Sequence, residues 1–459
     1  MSVNRSKYEI DMCSGSILKK MLLFTIPLML SSILQLLFNA ADVVVVGRFA
    51  GDNSLAAVGS TTALINMLTN LFMGLSIGAN VTAARDYGAK REEELSRTVH
   101  TAMMLSLISG LLLTVIGVFG AGKMLEFMQT PEEVLPLASV YLRIYFAGIT
   151  ANMIYNFGSA LLRAVGDTKR PLYYLLGAGV INVLLNLLFV IVFHMDVAGV
   201  ALATVISQII SAFLVVRCLM LEKGGIRFIL KKLGISRPKL FMIMRVGLPA
   251  GFQGIVFALS NVVIQSSVNG FGNIIVAGNS AAGNIEGFVY VSMNSFYQAA
   301  ISFVSQNFGA GRYDRINRIV LTAQGCVITV GLLMGNLAVF FGEPLLGIYS
   351  DTPDVIAAGM IRLKIICGTY ALCGIMDVMV GALRGIGYSV MPMIVSLLGA
   401  CGLRLLWLAT VFQMPEYHTI ETVYLSYPIT WTITLAVHII CYIWARGRIR
   451  KKYETSACR

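Results

Sequence analysis

The sequence contains the same set of landmarks twice, in the same order and about 221 residues apart. ARDYGAKR at 84–91 corresponds to QNFGAGR at 306–312, and LRAVGDTKRP at 162–171 corresponds to LRGIGYSVMP at 383–392. Self-similarity at one fixed spacing indicates a duplicated architecture. The chain is therefore expected to fold as two related halves.

Both halves are strongly apolar: 57% of the residues are hydrophobic and 13% are charged, about half the usual charged fraction. About 20 apolar residues in a row suffice for a helix to cross the roughly 30 Å of bilayer hydrocarbon. We find twelve such stretches, six in each half, which predict an all-α integral membrane protein with twelve transmembrane helices in two parallel-repeat six-helix bundles. Their expected bounds are 17–46, 53–82, 98–120, 134–161, 171–193, 197–220, 243–269, 277–305, 317–341, 355–383, 389–412 and 420–445.

The basic residues are distributed unevenly between the connections, and this distribution predicts the orientation. The formal net charge of +12 is compatible with a nucleic-acid partner. However, one alternating set of loops, including 84–97, 163–170 and 217–245, holds nearly all the Lys and Arg, whereas the loops of the other set hold Arg48 and Lys123. This positive-inside pattern places both termini in the cytoplasm. We therefore expect a multi-pass protein of the cell inner (plasma) membrane, with the lipid bilayer as its surroundings and no nucleic-acid partner.

An even number of spans in each half makes the two repeats parallel, an arrangement in which two bundles rock about a site between them. We expect an amino-terminal lobe at 1–221, a cytoplasmic linker at 222–239, and a carboxy-terminal lobe at 240–459 with a short basic tail. The linker, EKGGIRFILKKLGISRPK, is either a short amphipathic helix on the bilayer surface or a plain connection. We expect the chain to act as a monomer.

Polar side chains recur at helical spacing within four spans of the first half. A polar stripe of this kind either joins neighbouring helices by hydrogen bonds or lines a hydrated cavity. The single carboxylate among them, Asp42, can take up a proton or coordinate sodium together with amide oxygens. The stripes predict a cation-coupling site from Gln35, Asn39, Asp42, Asn182 and Asn186, with Asn66, Asn70, Asn152 and Asn156 in a substrate cavity or second coupling site.

The second half carries more charge within its spans. Glu286 and Arg404 lie at similar depths of roughly 13 Å, so they are expected to pair, either for packing or for substrate gating. Asp377 lies nearer the cytoplasmic end and is a candidate cation-binding residue. The candidates for the substrate cavity or second coupling site in this half are Gln253, Asn261, Gln265, Glu286, Asp377 and Arg404.

Proline and glycine recur at matching places in the two halves. Pro27 and Pro249 each remove a backbone donor from a span, which favours a hinge in both. The recurring glycines suggest tight turns where the chain reverses after a span. These glycines are Gly88, Gly309, Gly166 and Gly387.

The chain shows no signature of an enzyme. It lacks a phosphate-binding glycine loop, a metal-binding histidine pair and a serine nucleophile motif. The eight cysteines and four histidines lack the spacing of metal ligands, so we expect no cofactor and no structural metal. An ion gradient is then the expected source of energy.

The duplicated motifs resemble the multidrug and toxic compound extrusion family of cation-coupled antiporters, over about residues 15–445. The segments that carry the resemblance are IPLML, NAADVVVVGRFAG, AARDYGA, LRAVGDTKRP, GLPAG and QNFGAGR. The resemblance implies two six-helix lobes, alternating access, and export of organic cations in exchange for sodium or protons.

By this resemblance, Asp42 occupies the family's acidic position on the first helix and Asn182 its asparagine on the fifth. The chain departs from the pattern at Asn186, where many members have aspartate, and near Gln253, where some have an acidic residue. Glu286, in NIEGFVY, fits a common bacterial variant. Three alternatives remain open: a lipid-linked saccharide flippase of the same superfamily, a transporter of the major facilitator architecture, and an ion channel or integral-membrane enzyme.

Overall fold

The computed structural model describes residues 8–457, including all side chains in this range except those of residues 52 and 450–457. Residues 1–7, which belong to the terminus predicted to be cytoplasmic, lie outside the described range. We number twelve main helices α1–α12 in chain order. They are α1 Ile17–Phe49, α2 Asp52–Gly88, α3 Glu92–Phe127, α4 Leu135–Ala147 with Ile149–Ala164, α5 Lys169–Val192, α6 Asp196–Leu221, α7 Arg237–Asn269, α8 Asn273–Gly309, α9 Tyr313–Phe340, α10 Pro353–Cys367 with Ala371–Gly385, α11 Val390–Gln413 and α12 Ile420–Ala457.

This architecture confirms the predicted fold class. Within residues 8–457 there is no β-strand, nine helices are long and apolar enough to cross a membrane, and two bent pairs, α4 and α10, raise the number to eleven. The twelfth, α8, spans 37 residues, but polar side chains such as Asn279, Asn284 and Glu286 interrupt its apolar sequence. In hydrocarbon every backbone amide must be satisfied within the protein, and a helix achieves this within one segment.

The duplication is visible in the geometry of two equivalent helices. Helix α4 bends by 47° at Gly148, and α10 bends by 44° between Cys367 and Ala371. A break at the same place in both halves is expected if each half inherited one ancestral six-helix pattern.

The described chain divides into two compact units. Unit 1 contains residues 8–15, 22–254 and 305–311, and unit 2 contains residues 16–21, 255–304 and 312–457. The core of unit 1 includes Leu113, Leu142 and Phe146, which are fully buried between α3 and α4. In unit 2, α9, α10 and α12 bury residues such as Val378 and Leu383. The lobe boundary predicted at 222–239 is the boundary between the two sequence repeats. The division into compact units does not test it, so it stays a prediction.

The four recurring glycines have two different roles. Gly166 and Gly387 have φ values of +93° and +98°, a conformation that suits glycine, so the prediction of turns holds for these two. The other two also come directly before a turn, at the ends of α2 and α8, but the constraint on them is a close contact. A Cβ on Gly88 would lie 2.0 Å from the carbonyl oxygen of Gln306, and a Cβ on Gly309 would lie 2.1 Å from that of Arg85. These glycines allow two helix ends to cross at backbone contact.

The linker does not form an amphipathic helix. It has two single-turn 3-10 helices, Gly224–Ile226 and Leu230–Lys232, and it is attached to α3. His100 Nε2 lies 3.0 Å from the backbone nitrogen of Ile229, and the backbone N–H of Ser236 donates to Thr101 Oγ1 at 3.1 Å. The linker is therefore an ordered part of unit 1.

Replacing Gly110 with Leu is expected to destabilise unit 1, because a Cβ there would lie 2.5 Å from the Cα of Thr150. Overpacking of this kind costs about 1–3 kcal/mol. The measurement is the melting temperature in detergent. Gly177→Leu is the matched control, since Gly177 is exposed and has no atom within 4 Å of an added Cβ. Equal melting temperatures for the two variants would contradict the close packing of α3 on α4.

Candidate functional site

In unit 1, the structure brings Asp42 of α1 together with two asparagines of α5. The side-chain amide nitrogen of Asn186, Nδ2, donates to Asp42 Oδ1. The same nitrogen lies 3.4 Å from Asn182 Oδ1. Asn182 Nδ2 in turn lies 3.4 Å from Thr204 Oγ1 of α6. Asn182 and Asn186 share a face because they are four residues apart on one helix. Three helices thus contribute to one polar cluster.

One hydrogen-bond acceptor of this cluster is unused among the described residues. Asn182 and Asn186 are buried, and Asn186 Oδ1 has no hydrogen-bond partner within the described part of the chain. Tyr141 and Tyr145 of α4 lie near Asp42. The helix widens into a π-helical turn, Leu188–Val192, which begins two residues after Asn186. Such turns are frequent at functional sites.

The other polar residues predicted in the first half do not make hydrogen bonds to this cluster among residues 8–457. Asn152 and Asn156 bond to each other, with Nδ2 of Asn156 2.9 Å from Oδ1 of Asn152. Asn70 is half-buried and lies against Gly254. The remaining three side chains are exposed, and they are Gln35, Asn39 and Asn66.

In unit 2, a second network surrounds Glu286 of α8. Arg362 of α10 donates to Glu286 Oε2 from Nε at 3.0 Å and from Nη2 at 2.6 Å, and both side chains are only 12% exposed. Tyr370 donates to Glu286 Oε1 at 2.9 Å. Asn279 Oδ1 accepts from Arg362 Nη1 at 2.6 Å, and Asn279 Nδ2 donates to Gln265 Oε1 at 3.0 Å. The carboxylate and the guanidinium are thus both well satisfied.

The expected pair of Glu286 with Arg404 does not form. Glu286 is bound by Arg362, whereas the Arg404 guanidinium lies over the ring of Tyr427, 3.9 Å from its centroid. Similar depth along the membrane normal does not decide which helix faces point toward each other, and Arg362 lies nearer to Glu286. Asp377 is half-buried and has an attractive interaction with Arg384.

The remaining candidate residues lie apart from both networks. Gln253 is buried within unit 1, and Asn261 is exposed in unit 2. Pro27 and Pro249 lie inside continuous helices. Near Pro27, Thr168 donates from Oγ1 to the carbonyl of Phe24 at 2.8 Å. The hinge at these prolines stays a prediction.

Sequence reasoning missed Arg362, Asn279, Tyr370 and Tyr424, which complete the network around Glu286. The available signal was Arg362 itself, a cation inside a predicted span, where a charged residue calls for a named partner. Over residues 8–457, no group of three His, Cys, Asp or Glu side chains is arranged to hold a metal ion. Hard cations prefer oxygen ligands, and the cluster at Asp42 contains carboxylate, amide and hydroxyl oxygens.

Comparison with known proteins finds similar chains over almost the full length. The family model MatE matches residues 27–188 and 249–409, one range in each half of the duplication. The chain is 27% identical over 447 residues to "Probable multidrug resistance protein YoeA" of Bacillus subtilis (strain 168), which covers 95% of this chain and 96% of that protein. It is 29% identical over 402 residues to "Probable multidrug resistance protein YpnP" of the same organism, which covers 86% and 88%.

The fold also matches solved structures. One is an outward-facing conformation of a multidrug resistance MATE family transporter of the MOP superfamily, with a TM-score of 0.90 and 21% identity. The match covers 98% of this chain and 100% of that chain. At this identity the likeness establishes the twelve-helix fold in two repeats.

Replacing Glu286 with Gln is expected to lower the free energy of unfolding by about 3–5 kcal/mol, because it leaves a buried guanidinium without its carboxylate. The melting temperature in detergent measures this. The double variant Glu286→Gln/Arg362→Met should recover part of the loss, because it removes the unpaired charge. The control is Glu93→Gln, which removes a carboxylate that pairs with an exposed arginine, Arg97. The melting temperature of this variant should hardly change. A Glu286→Gln protein as stable as the control would contradict a structural role for the pair.

Proposed function

Since this chain belongs to the MatE family, whose model matches both of its halves, we propose that it is a secondary active transporter that exports organic cations, drugs or other xenobiotics in exchange for sodium ions or protons. The relatives named multidrug resistance proteins support export of foreign compounds. The proposed mechanism is alternating access in the cell inner membrane, with both termini in the cytoplasm and the chain acting as a monomer.

The observation that carries the proposal of ion exchange is the cluster of Asp42, Asn182 and Asn186. One carboxylate, two amide oxygens and a hydroxyl come from three helices, and Asn186 Oδ1 has no partner among the described residues. Oxygen ligands of this kind suit a sodium ion, and the carboxylate alone suffices for a proton. The unpartnered amide oxygen supports sodium.

Binding of a cation at this cluster would change the contacts between helices. In the structure, the side-chain amide of Asn186 donates to the Asp42 carboxylate, which joins α1 to α5. A sodium ion or a proton neutralises the carboxylate and weakens this charge-assisted hydrogen bond. The ion therefore favours a different arrangement of α1, and a ligand shifts an equilibrium only through such a difference in affinity.

The first experiment is transport of rhodamine 6G in proteoliposomes, with a sodium gradient and a proton gradient imposed separately. Movement of the dye under one gradient supports exchange and identifies the coupling ion. If neither gradient moves the dye while the protein remains folded, the proposal is overturned in favour of a lipid-linked saccharide flippase.

Replacing Asp42 with Asn is expected to abolish gradient-driven transport while the protein remains folded, because the neutral amide cannot exchange a proton and binds sodium weakly. Initial rates in proteoliposomes and gel filtration measure the two effects. Glu126→Gln is the control, since Glu126 is an exposed carboxylate at the end of α3. Full transport by Asp42→Asn would exclude Asp42 as the coupling residue.

Replacing Pro27 with Ala is expected to slow turnover more than it weakens substrate binding. Alanine restores the backbone donor and stiffens α1, while the polar cluster at Asp42 lies four turns away. The two readouts are the transport rate at saturating dye and the dissociation constant of the dye in detergent. A wild-type rate would remove the argument for a hinge.

A further inference from the structure

We propose that a cleft between the linker and the first turns of α3 binds the headgroup of an anionic phospholipid, with Arg227 and Lys232 binding the lipid phosphate. We call this space the headgroup cleft. The inference goes beyond the proposed transport function and does not depend on it. It depends on the membrane location of the chain, because the cleft lies where α3 enters the bilayer.

The headgroup cleft is a defined space that lies entirely within unit 1. Its volume is about 750 Å³, which is in the range of ligand-binding pockets, roughly 300–1,000 Å³. It is open to the outside, so a ligand can enter it. The residues that line it include Ser96, His100 and Thr101 of α3 and Arg227, Lys232 and Gly234 of the linker.

Contacts between the linker and α3 hold the two walls of the cleft in place. The backbone N–H of Gly225 donates to Glu92 Oε2, and a Cβ on Gly225 would lie 2.3 Å from the carbonyl oxygen of Glu92. Further along, the backbone N–H of Ile229 donates to His100 Nε2 at 3.0 Å. The His100 ring is buried and its centroid lies 5.5 Å from that of Phe228. The cleft is therefore part of the folded structure of unit 1.

Two basic side chains at the cleft are available to an anionic ligand. Arg227 and Lys232 are exposed, and both line the cleft. Arg227 donates from Nε to the carbonyl of Met220 at 3.3 Å, which leaves the terminal nitrogens of the guanidinium for a ligand. Neither side chain forms an ion pair with a carboxylate in the part of the chain that the structure describes.

The acidic residues at the cleft already have partners. Glu92 accepts the N–H of Gly225, as described above, and Glu93 pairs with Arg97 at 2.7 Å. Glu222, at the start of the linker, pairs with Arg170. The linker as a whole contains six basic residues and one acidic residue. The charge that remains for a ligand is therefore positive.

The position of the cleft along α3 favours a lipid over a soluble phosphate compound. The cleft extends from Glu92 to Thr101, roughly 13 Å along the helix axis, and the apolar span of α3 is expected to begin at about residue 98. It therefore crosses the boundary between water and hydrocarbon. The linker also presents Leu230, which is 65% exposed, and Ile235, which lines the cleft and is 43% exposed. Exposed apolar side chains beside lysines suit the headgroup layer of a membrane.

An anionic phospholipid has the complementary chemistry. Its phosphate accepts charge-assisted hydrogen bonds from a guanidinium and an ammonium group. Basic pockets on the cytoplasmic side of membrane proteins bind such headgroups, and the positive-inside pattern predicts that the linker lies on that side. A choline headgroup has the same phosphate but brings a positive charge close to Arg227 and Lys232. The cleft is therefore expected to select lipids with a net negative charge.

The test compares dioleoylphosphatidylglycerol with dioleoylphosphatidylcholine, which share acyl chains and phosphate and differ in net charge. Dissociation constants for the purified full chain are measured by native mass spectrometry. Wild type is expected to bind phosphatidylglycerol at least about fivefold more tightly. In Arg227→Gln/Lys232→Gln the phosphatidylglycerol constant should rise at least about tenfold, because each basic residue near an anionic lipid contributes about fivefold. The phosphatidylcholine constant should stay within about threefold.

Hydrogen exchange locates the bound lipid on the protein. The full chain is placed in nanodiscs of phosphatidylcholine alone or of phosphatidylcholine with phosphatidylglycerol. Backbone amides of the linker at 224–236 are expected to exchange more slowly when phosphatidylglycerol is present. The double variant should show no such slowing, because its cleft no longer attracts the anionic headgroup.

Two further variants separate the cleft from a general attraction of the basic surface. Lys223→Gln/Lys231→Gln removes the same charge from exposed linker residues outside the cleft lining, so the phosphatidylglycerol constant should change by less than about threefold. Gly234→Trp keeps every charge and adds bulk to the lining. A Cβ on Gly234 has no neighbour closer than 3.9 Å, so the substitution fits the fold. It should weaken phosphatidylglycerol binding as strongly as the loss of Arg227 and Lys232.

A soluble compound, sn-glycerol 3-phosphate, distinguishes the lipid from a free phosphate compound. If it binds wild type as tightly as phosphatidylglycerol, the lipid assignment is overturned. Equal binding of the two lipids by wild type, or unchanged phosphatidylglycerol binding in Arg227→Gln/Lys232→Gln, would also overturn it. Equal weakening by Lys223→Gln/Lys231→Gln would replace the cleft with a general surface attraction. If the double variant at the cleft fails to fold, Gly234→Trp decides the question.

Discussion

Inside hydrocarbon no water is available to a polar group, so each backbone amide and each deep polar side chain must be satisfied by the protein or by a ligand. Within the described residues the backbone meets this condition in twelve long helices, which approach their neighbours closely at glycines such as Gly88, Gly110 and Gly309. The side chains meet it in two compact networks. Exceptions to this condition are informative. A buried polar atom without a partner lowers the stability of the protein, so selection would remove it unless it served a function.

The two units satisfy their buried polar side chains in different ways. In unit 1 the Asp42 carboxylate accepts a hydrogen bond from the side-chain amide of Asn186, and the amide oxygen of Asn186 has no partner among the described residues. In unit 2 the ion pair of Arg362 and Glu286 is complete, while Arg404 is left without a carboxylate. Unit 1 therefore has a negatively charged set of oxygen ligands with one acceptor unpartnered. Within the described residues, unit 2 has a guanidinium without a carboxylate partner, next to an aromatic ring. The proposal of cation exchange rests on the oxygen ligands of unit 1.

Sequence reasoning located the spans closely and the contacts between them poorly. The expected spans agree with the helices to within a few residues at most ends, because length and hydropathy act along one chain. Of the residues grouped from the sequence as a coupling site, the structure brings Asp42, Asn182 and Asn186 together, whereas Gln35 and Asn39 are exposed. The role of this group stays a prediction. The proposed partner of Glu286 was wrong, because depth in the membrane leaves the rotation of each helix undetermined. The packing constraint on Gly88 was missed for a similar reason, because it comes from the carbonyl of Gln306, more than two hundred residues away in sequence.

The sequence by itself determined that this is a duplicated, twelve-helix membrane protein with few polar groups in its spans, since apolar length and repeated motifs are local properties of the chain. The comparisons extended this to membership of the MatE family. Only the tertiary structure decided which polar groups satisfy one another, because pairing depends on which helix faces meet across large separations in sequence. It assigned Glu286 to Arg362 rather than Arg404, and so left Arg404 with a charge that no protein side chain balances within the described residues.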